Sequence, residues 1–254
     1  MKISLFQQDI AWLSPADNYQ KIEDTLRSLP DTELLVMPEM CTTGFITIPQ
    51  PGQIERAADV ENRLLSLARK YDTALCGSFA VVDDSLEGPL HNANRCYFIT
   101  PEGDVSFYDK HHLYTPGLEH KGYKAGDTRT TVRWRDITFR LSVCFDLRFP
   151  TWLHYDNELP YDILICVANW PAARQLAWDT LLRARAIENQ AFCIGVNRIG
   201  HDTMCDYQGG SCAIHPYGHI LASCTDNEQS TCTFEPDMQK LNDFRKKFPV
   251  VLTE

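Results

Sequence analysis

The chain has 254 residues, 44% apolar and 23% charged. That is a globular composition with length enough for a large core, which excludes a disordered or fibrous protein. With 24 Lys and Arg against 34 Asp and Glu, the net charge is −10, which argues against the broad basic surface that nucleic-acid binding requires.

In chain order, Ile3 and Leu5 alternate with polar neighbours in a first strand, and Ser14-Pro15 opens a helical pattern through Tyr19, Ile22, Leu26 and Leu29. Leu34 to Met37 reads as a short buried strand ending at Pro38-Glu39. A second helix is written by Val60, Leu64, Leu67 and Ala68. Thr73 to Val82 and Asn94 to Thr100 follow as strands, with a turn signal at Asp83-Asp84. Thr130 to Trp134 and Ile137 to Val143 predict a hairpin around Arg135-Asp136, and Asp162 to Val167 is a fully apolar strand. Ala172 to Ala191 predicts a long helix with apolar positions Leu176, Leu181 and Ile187. Strands at Phe192–Val196, Ser211–Ile214, Ile220–Cys224 and Thr231–Phe234 precede a polar helix from Pro236 to about Lys247. This order predicts layered sheets covered by helices. No linker rich in Pro, Gly or Ser interrupts it, so one domain over 1–254 is expected.

No stretch approaches the ~18 consecutive apolar residues of a membrane helix, and the opening Met1 to Asp9 breaks its apolar run too early for a signal peptide. The expectation is a soluble cytoplasmic protein with no membrane partner. In that compartment thiols stay reduced, so the ten cysteines read chiefly as small buried hydrophobes. They contain no C-x-x-C pair, which argues against a zinc site or a redox dithiol. No metal and no cofactor is expected.

Three polar residues stand where strands end, the place where layered α/β folds put their sites. Glu39 follows the apolar run 34–38, which delivers a carboxylate into a region with little water, a setting for a proton shuttle; the alternative is a surface Glu after a turn Pro. Lys110 lies in Tyr108-Asp109-Lys110-His111-His112, where a buried ammonium can hold an oxyanion and a solvated loop lysine is the rival reading. His111 and His112, with His120 or Asp109, raise the idea of metal ligation, but adjacent side chains in an extended segment point apart and no H-E-x-x-H occurs. Cys144 ends an apolar strand and is followed by the polar-flanked turn Phe145 to Pro150, an arrangement that suits a nucleophile with free backbone N–H groups beside it. Arg148 could lower the thiol pKa or grip a substrate carboxylate. The remaining nine cysteines are expected to be packing or surface thiols, and protection by substrate is expected to map to Cys144 alone. Serine-hydrolase, P-loop and dinucleotide motifs are missing from the sequence, while a papain-like Cys–His pair stays open.

Pro38-Glu39-Met40, Tyr108-Asp109-Lys110 and Val143-Cys144-Phe145-Asp146-Leu147-Arg148-Phe149-Pro150 resemble, in that chain order, the three signatures of the nitrilase superfamily of carbon–nitrogen hydrolases. Ala168-Asn169-Trp170-Pro171 and Ala184 to Gln190 extend the match over almost the whole chain. Within the family the resemblance is to bacterial ω-amidases, carried by Pro38 to Phe45 and by Ala168 to Ala172. His111 stands where those proteins usually have Arg, and Phe145 where Tyr is commoner.

The resemblance implies a four-layer α-β-β-α sandwich of two mixed β-sheets flanked by helices, and association through the helical layer as a homodimer. It also implies hydrolysis of the terminal amide of small 2-oxo dicarboxylic acid monoamides through a cysteine thioester, with Glu39, Lys110, Cys144 and Glu119 catalytic. Phe145, Arg148 and Trp170 are the expected substrate-binding residues. A general aliphatic amidase, a nitrilase, an N-carbamoyl amide hydrolase, a metal-dependent hydrolase and a non-catalytic scaffold are the alternatives.

Overall fold

In the computed structural model, which describes residues 1–250, the alternation begun at Ile3 and Leu5 sorts strand side chains into an inner and an outer layer. The first half runs β1 (Ile3–Gln7), α1 (Pro15–Ser28), β2 (Leu34–Val36), β3 (Glu55–Arg56), α2 (Ala57–Tyr71), β4 (Ala74–Val82), β5 (Asn92–Ile99) and β6 (Val105–Asp109). The second half runs β7 (Thr131–Trp134), β8 (Ile137–Val143), α3 (Pro150–Leu153), β9 (Ile163–Val167), α4 (Gln175–Glu188) and β10 (Phe192–Val196). It closes with β11 (Ile199–His201), β12 (Asp206–Gln208), β13 (Cys212–Ile214), β14 (Ile220–Ser223), β15 (Ser230–Phe234) and α5 (Met238–Lys247).

One sheet has the order β15-β1-β2-β4-β5-β6, with β3 beside β4; the other has the order β14-β13-β10-β9-β8-β7. Both are mixed: β1, β2 and β4 are parallel, with β3 parallel to β4, as are β8, β9 and β10, while β15, β5, β7 and β13 pair with them antiparallel. The last strand of the chain returns to pair with the first, Ile3 opposite Phe234. The arrangement is the expected four-layer sandwich, with α1 and α2 over one sheet and α4 over the other.

Strand β9 shows why. Ile163, Ile165 and Val167 enter a core shared with Leu5, Val36 and Phe98 of the facing sheet, whereas Leu164 and Cys166 turn outward beneath Trp178, Leu182 and Ala186 of α4. A strand buried on both faces reads as an unbroken apolar run. On the other side, Ile22 and Leu26 of α1 and Val60, Leu64 and Ala68 of α2 cover Leu35, Leu75 and Tyr97.

The predicted helix over 172–191 is corrected in two respects. Ala172–Arg174 is a single 3-10 turn before α4 begins at Gln175, and two of the three apolar positions face outward, Leu176 being 81% and Ile187 53% exposed, while Leu181 packs partly buried against the core. The buried stripe is Trp178, Leu182 and Ala186, at i, i+4 and i+8. Gly195 of β10 admits it, since a Cβ there would lie 2.4 Å from Leu182 Cδ1 and 2.8 Å from Trp178 Cζ2. Strand β6 is absent from the sequence reading because Val105 and Phe107 face outward and Tyr108 alone faces the core. The hairpin at Arg135-Asp136 forms as expected, both residues having positive φ (46° and 62°), the geometry of a two-residue type I′ turn.

Candidate active site

Strands β8, β9 and β10 end flush, with Val143, Val167 and Val196 in register. Beyond that edge stand Cys144, Asn169 and Asn197. In the facing sheet, β2 and β6 end at the same side of the sandwich and release Glu39 and Lys110.

Glu39 is placed by a chain that clings to β4 past the end of β2. Met37 N–H donates to Cys76 O at 2.7 Å, and Met40 N–H to Ser78 Oγ at 3.0 Å. Between them Pro38 has no N–H to give, and the Glu39 side chain turns inward. Lys110 is pinned at both backbone groups, donating to Asn94 O at 2.9 Å and accepting from Gly126 N–H at 3.0 Å.

Glu39, Lys110 and Glu119 all have 0% exposure and form one cluster. Lys110 Nζ donates to Glu39 Oε1 at 2.8 Å and to Glu119 Oε2 at 2.9 Å. Asn94 Nδ2 bridges the same two carboxylates at 2.8 and 2.9 Å, itself oriented by Ser78 Oγ–H donating to Asn94 Oδ1 at 2.6 Å. The Tyr114 amide donates to Glu119 Oε2 at 2.6 Å. From the second sheet, Asn169 N–H reaches Glu39 Oε2 at 2.8 Å, and Asn169 Nδ2 donates to Glu39 O at 2.7 Å. Every Glu39 contact therefore fixes orientation, and the three N–H groups of the ammonium meet three carboxylate oxygens, the third being Glu119 Oε1 at 3.2 Å.

Burial works against the Lys110 charge, but Glu119 and then Glu39 outweigh it and hold the ammonium well above its ordinary pKa. Burial pushes the Glu119 carboxyl up, Lys110 pulls it back and Glu39 raises it again. At Cys144, burial and then Glu39 push the thiol well above its usual value, and Lys110 offsets only part of this. The expectation that Arg148 lowers the thiol pKa is thus corrected. Its guanidinium lies over the Trp170 ring, 4.8 Å from the centroid, and desolvation decides. A thiol held neutral needs a base to take its proton.

Cys144 adopts φ +46°, a region unusual for a side-chain-bearing residue, where β8 breaks into the 3-10 turn Cys144–Arg148. Such a turn leaves its first N–H groups without partners inside it, Phe145 N–H among them. Asp146 anchors the turn: fully buried, its Oδ2 accepts from Val143 N–H at 3.0 Å and Tyr108 Oη–H at 2.8 Å, and its Oδ1 accepts from His112 N–H at 2.9 Å. One carboxylate thus ties the cysteine turn to the segment carrying Lys110.

The adjacent histidines do not point apart as expected. They lie in a bend beyond β6, and their rings meet edge to face at 4.5 Å. His111 stacks on Trp152 at 3.7 Å and His112 on Phe149 at 3.6 Å. Among the described residues no group of three His, Cys, Asp or Glu side chains is arranged to hold a metal ion.

Cys144 opens on a cavity of about 350 Å³. Phe145, Arg148 and Trp170 line it, as do four residues the sequence reading passed over as pocket residues: Phe45, Tyr114, Arg174 and Cys205. Glu39, Lys110 and Glu119 lie behind the wall. Cys205, one of the nine expected packing or surface thiols, thus shares the pocket with Cys144; burial and Asp202 push its thiol up while Arg174 pulls it back. Asp146 carries a readable signal, an acid in the turn just after an apolar strand, whereas Asn94 does not stand out between Asn92 and Arg95. Arg174 has none, because only the fold brings it to this wall.

A family model described as carbon-nitrogen hydrolase matches residues 2–246. The chain is 38% identical over 250 residues to the omega-amidase YafV of Escherichia coli, covering 98% of this chain and 94% of that one. It is 30% identical over 256 residues to the 2-oxoglutaramate amidase of Bacillus subtilis, covering 98% and 95%. The crystal structure of XC1258 from Xanthomonas campestris, a CN-hydrolase superfamily protein with an arsenic adduct in its active site, superposes with a TM-score of 0.91 at 33% identity, covering 100% of this chain and 97% of that one. Sequence, fold and the match along nearly the whole length agree: the chain belongs to the carbon–nitrogen hydrolase family.

Proposed function

We propose that the protein is an ω-amidase, cleaving the terminal amide of small 2-oxo dicarboxylic acid monoamides such as 2-oxoglutaramate and 2-oxosuccinamate to the acid and ammonia. The observation that carries this is the buried Glu39–Lys110–Glu119 cluster directly behind a cysteine whose thiol opens on an arginine-bearing pocket. Similarity to an omega-amidase and a 2-oxoglutaramate amidase supports the substrate class.

Glu39 takes the Cys144 proton as the sulfur attacks the amide carbon, and Lys110 with the Phe145 N–H holds the oxygen as it gains charge. Glu39 then passes the proton to the departing nitrogen, so ammonia leaves and a thioester remains. A water deprotonated by Glu39 attacks that thioester, giving the acid and restoring the thiol. Glu119 keeps Lys110 charged and directed, and Arg148 over Trp170 receives the substrate carboxylate.

The same proposal places the protein in the cytoplasm as a single-domain homodimer. Ten unpaired thiols suit a reducing compartment, and no described helix is long and apolar enough to cross a membrane. An inter-sheet core that draws on residues from Ile3 to Leu241 supports one domain. Exposed Leu176 and Ile187 on α4 supply an apolar face for a second copy.

The test is ammonia release from 2-oxoglutaramate, glutamine, an N-carbamoyl amino acid and an aliphatic nitrile. Preference for the 2-oxo amide supports the proposal; equal or greater turnover of another class assigns a different carbon–nitrogen hydrolase activity.

A further inference from the structure

The pocket in front of Cys144 carries two cations and no compensating acid. Its lining includes Arg148 and Arg174 but no aspartate or glutamate, in a protein whose net charge is −10. Among the described residues neither guanidinium forms an ion pair or a side-chain hydrogen bond. Arg148 lies over Trp170 at 4.8 Å and Arg174 over Tyr114 at 5.7 Å. Several arginines elsewhere find carboxylates, Arg95 pairing with Asp83 and Asp109, Arg129 with Asp156 and Arg245 with Asp162, although Arg140, like the two pocket arginines, does not among the described residues. The nearby acid Asp202 is already committed, accepting from Tyr207 Oη–H at 2.6 Å and from the Met204 and Cys205 amides at 2.7 and 2.8 Å.

A guanidinium resting over an aromatic ring spends its face on the ring and keeps its N–H edge for a planar anion. The backbone holds Arg174 in position as well, since Trp170 Nε1–H donates to Arg174 O at 2.9 Å. Tyr114, the ring under Arg174, is in turn fixed through its amide to Glu119. The second cation is therefore attached to both the Trp170 wall and the catalytic cluster.

We propose that Arg174 is a specificity-determining residue. It closes on the distal carboxylate of the substrate opposite Arg148, so that the site selects linear monoamides bearing an anion at the far end from the scissile amide. This rests on the ω-amidase reading and adds a residue and a charge requirement to it. One cation satisfies one face of a carboxylate. Two, one held over Trp170 and one over Tyr114, hold it at two edges and fix the distance from the anion to the amide carbon, which is how remote binding energy becomes orientation at the reacting atom.

The test compares ammonia release from 2-oxoglutaramate and from its neutral methyl ester, in the wild-type protein and in the Arg174→Gln and Arg174→Lys variants. The wild type should prefer the anion. Arg174→Gln should cut the anion-to-ester ratio of kcat/KM on the order of 10- to 100-fold, chiefly through KM on the anion. Arg174→Lys, which keeps the charge without the fork, should recover part of that ratio. If Arg174→Gln lowers kcat/KM for both substrates by the same factor, Arg174 is a structural residue and the inference is overturned; kcat/KM unchanged on both assigns the carboxylate to Arg148 alone and overturns it equally. A wild type with no preference for the anion removes the ω-amidase reading itself, an outcome visible before any variant is made.

Discussion

Replacing Glu119 with glutamine keeps the shape of the side chain and removes one charge from a cluster with no exposure. In the native protein that carboxylate accepts from Lys110 at 2.9 and 3.2 Å, from Asn94 at 2.9 Å and from the Tyr114 amide at 2.6 Å. The amide of glutamine offers one acceptor where the carboxylate offers two, so the charge-assisted bond to Lys110 or the tether to Tyr114 is lost. A hydrogen bond to a charged group contributes about 1.5–3 kcal/mol, which sets the expected fall in kcat/KM at roughly 10- to 150-fold. The thiol responds in the opposite sense. Glu119 is among the groups that raise the Cys144 pKa, so its neutralisation moves that pKa down and speeds alkylation by iodoacetamide at a fixed pH. Ammonia release and the pH profile of alkylation, measured on the same preparation, separate the two effects. Loss of hydrolysis together with faster alkylation is expected, and a folded variant is verified by its urea midpoint. Undiminished hydrolysis, or alkylation that slows, would refute the argument that Glu119 acts through the charge of the cluster.

In the wild type, the rate of Cys144 alkylation should keep rising as pH increases through 9, because burial and Glu39 hold the thiol neutral below that range; a plateau near pH 7 would show a pre-formed thiolate. Saturating 2-oxoglutaramate should slow labelling of both Cys144 and Cys205, which share the pocket wall, and peptide mapping that finds Cys166 or Cys193 protected instead would contradict the placement. Trp178→Ala should cost about 3–5 kcal/mol of stability, read from urea unfolding, since the ring is fully buried against Leu182 and the Gly195 backbone. Prolonged dialysis against EDTA should leave ammonia release unchanged, whereas loss restored by a divalent cation would favour the metal-dependent alternative.

The layered fold was legible because most strands carry a period of two or an unbroken apolar run, and both patterns report burial directly. Legibility failed where burial is one-sided or lent by a neighbour. Strand β6 turns Val105 and Phe107 outward and so hides from a hydrophobic reading, although it carries Lys110 at its end. Helix α4 exposes Leu176 and Ile187 while burying Trp178, a choice made by the space above Gly195 rather than by the helix's own composition. At the site, Glu39 and Cys144 stand out because each ends or follows an apolar strand, and Lys110 because it lies in the polar run from Tyr108 to His112. Asn94 and Asp146 hold them in place through contacts across 16 to 55 positions of sequence separation, between Asn94 and Ser78, Glu119 and Glu39 and between Asp146 and Tyr108 and His112. Spacing along the chain encodes none of these.

The inter-sheet core also acts as an alignment device. Glu39 and Lys110 ride on one sheet, Cys144 and Asn169 on the other, and the bonds from Asn169 to Glu39 and from Asp146 to Tyr108 and His112 cross the seam between them. Sliding one sheet over the other by a fraction of a side chain would separate acid from nucleophile without breaking either sheet. Phe98 against Phe139, with ring centroids 5.1 Å apart across that seam, thus sets the gauge of the active site from well inside the fold. Turnover, more than thermal stability, becomes the sensitive readout of how well this interior is packed.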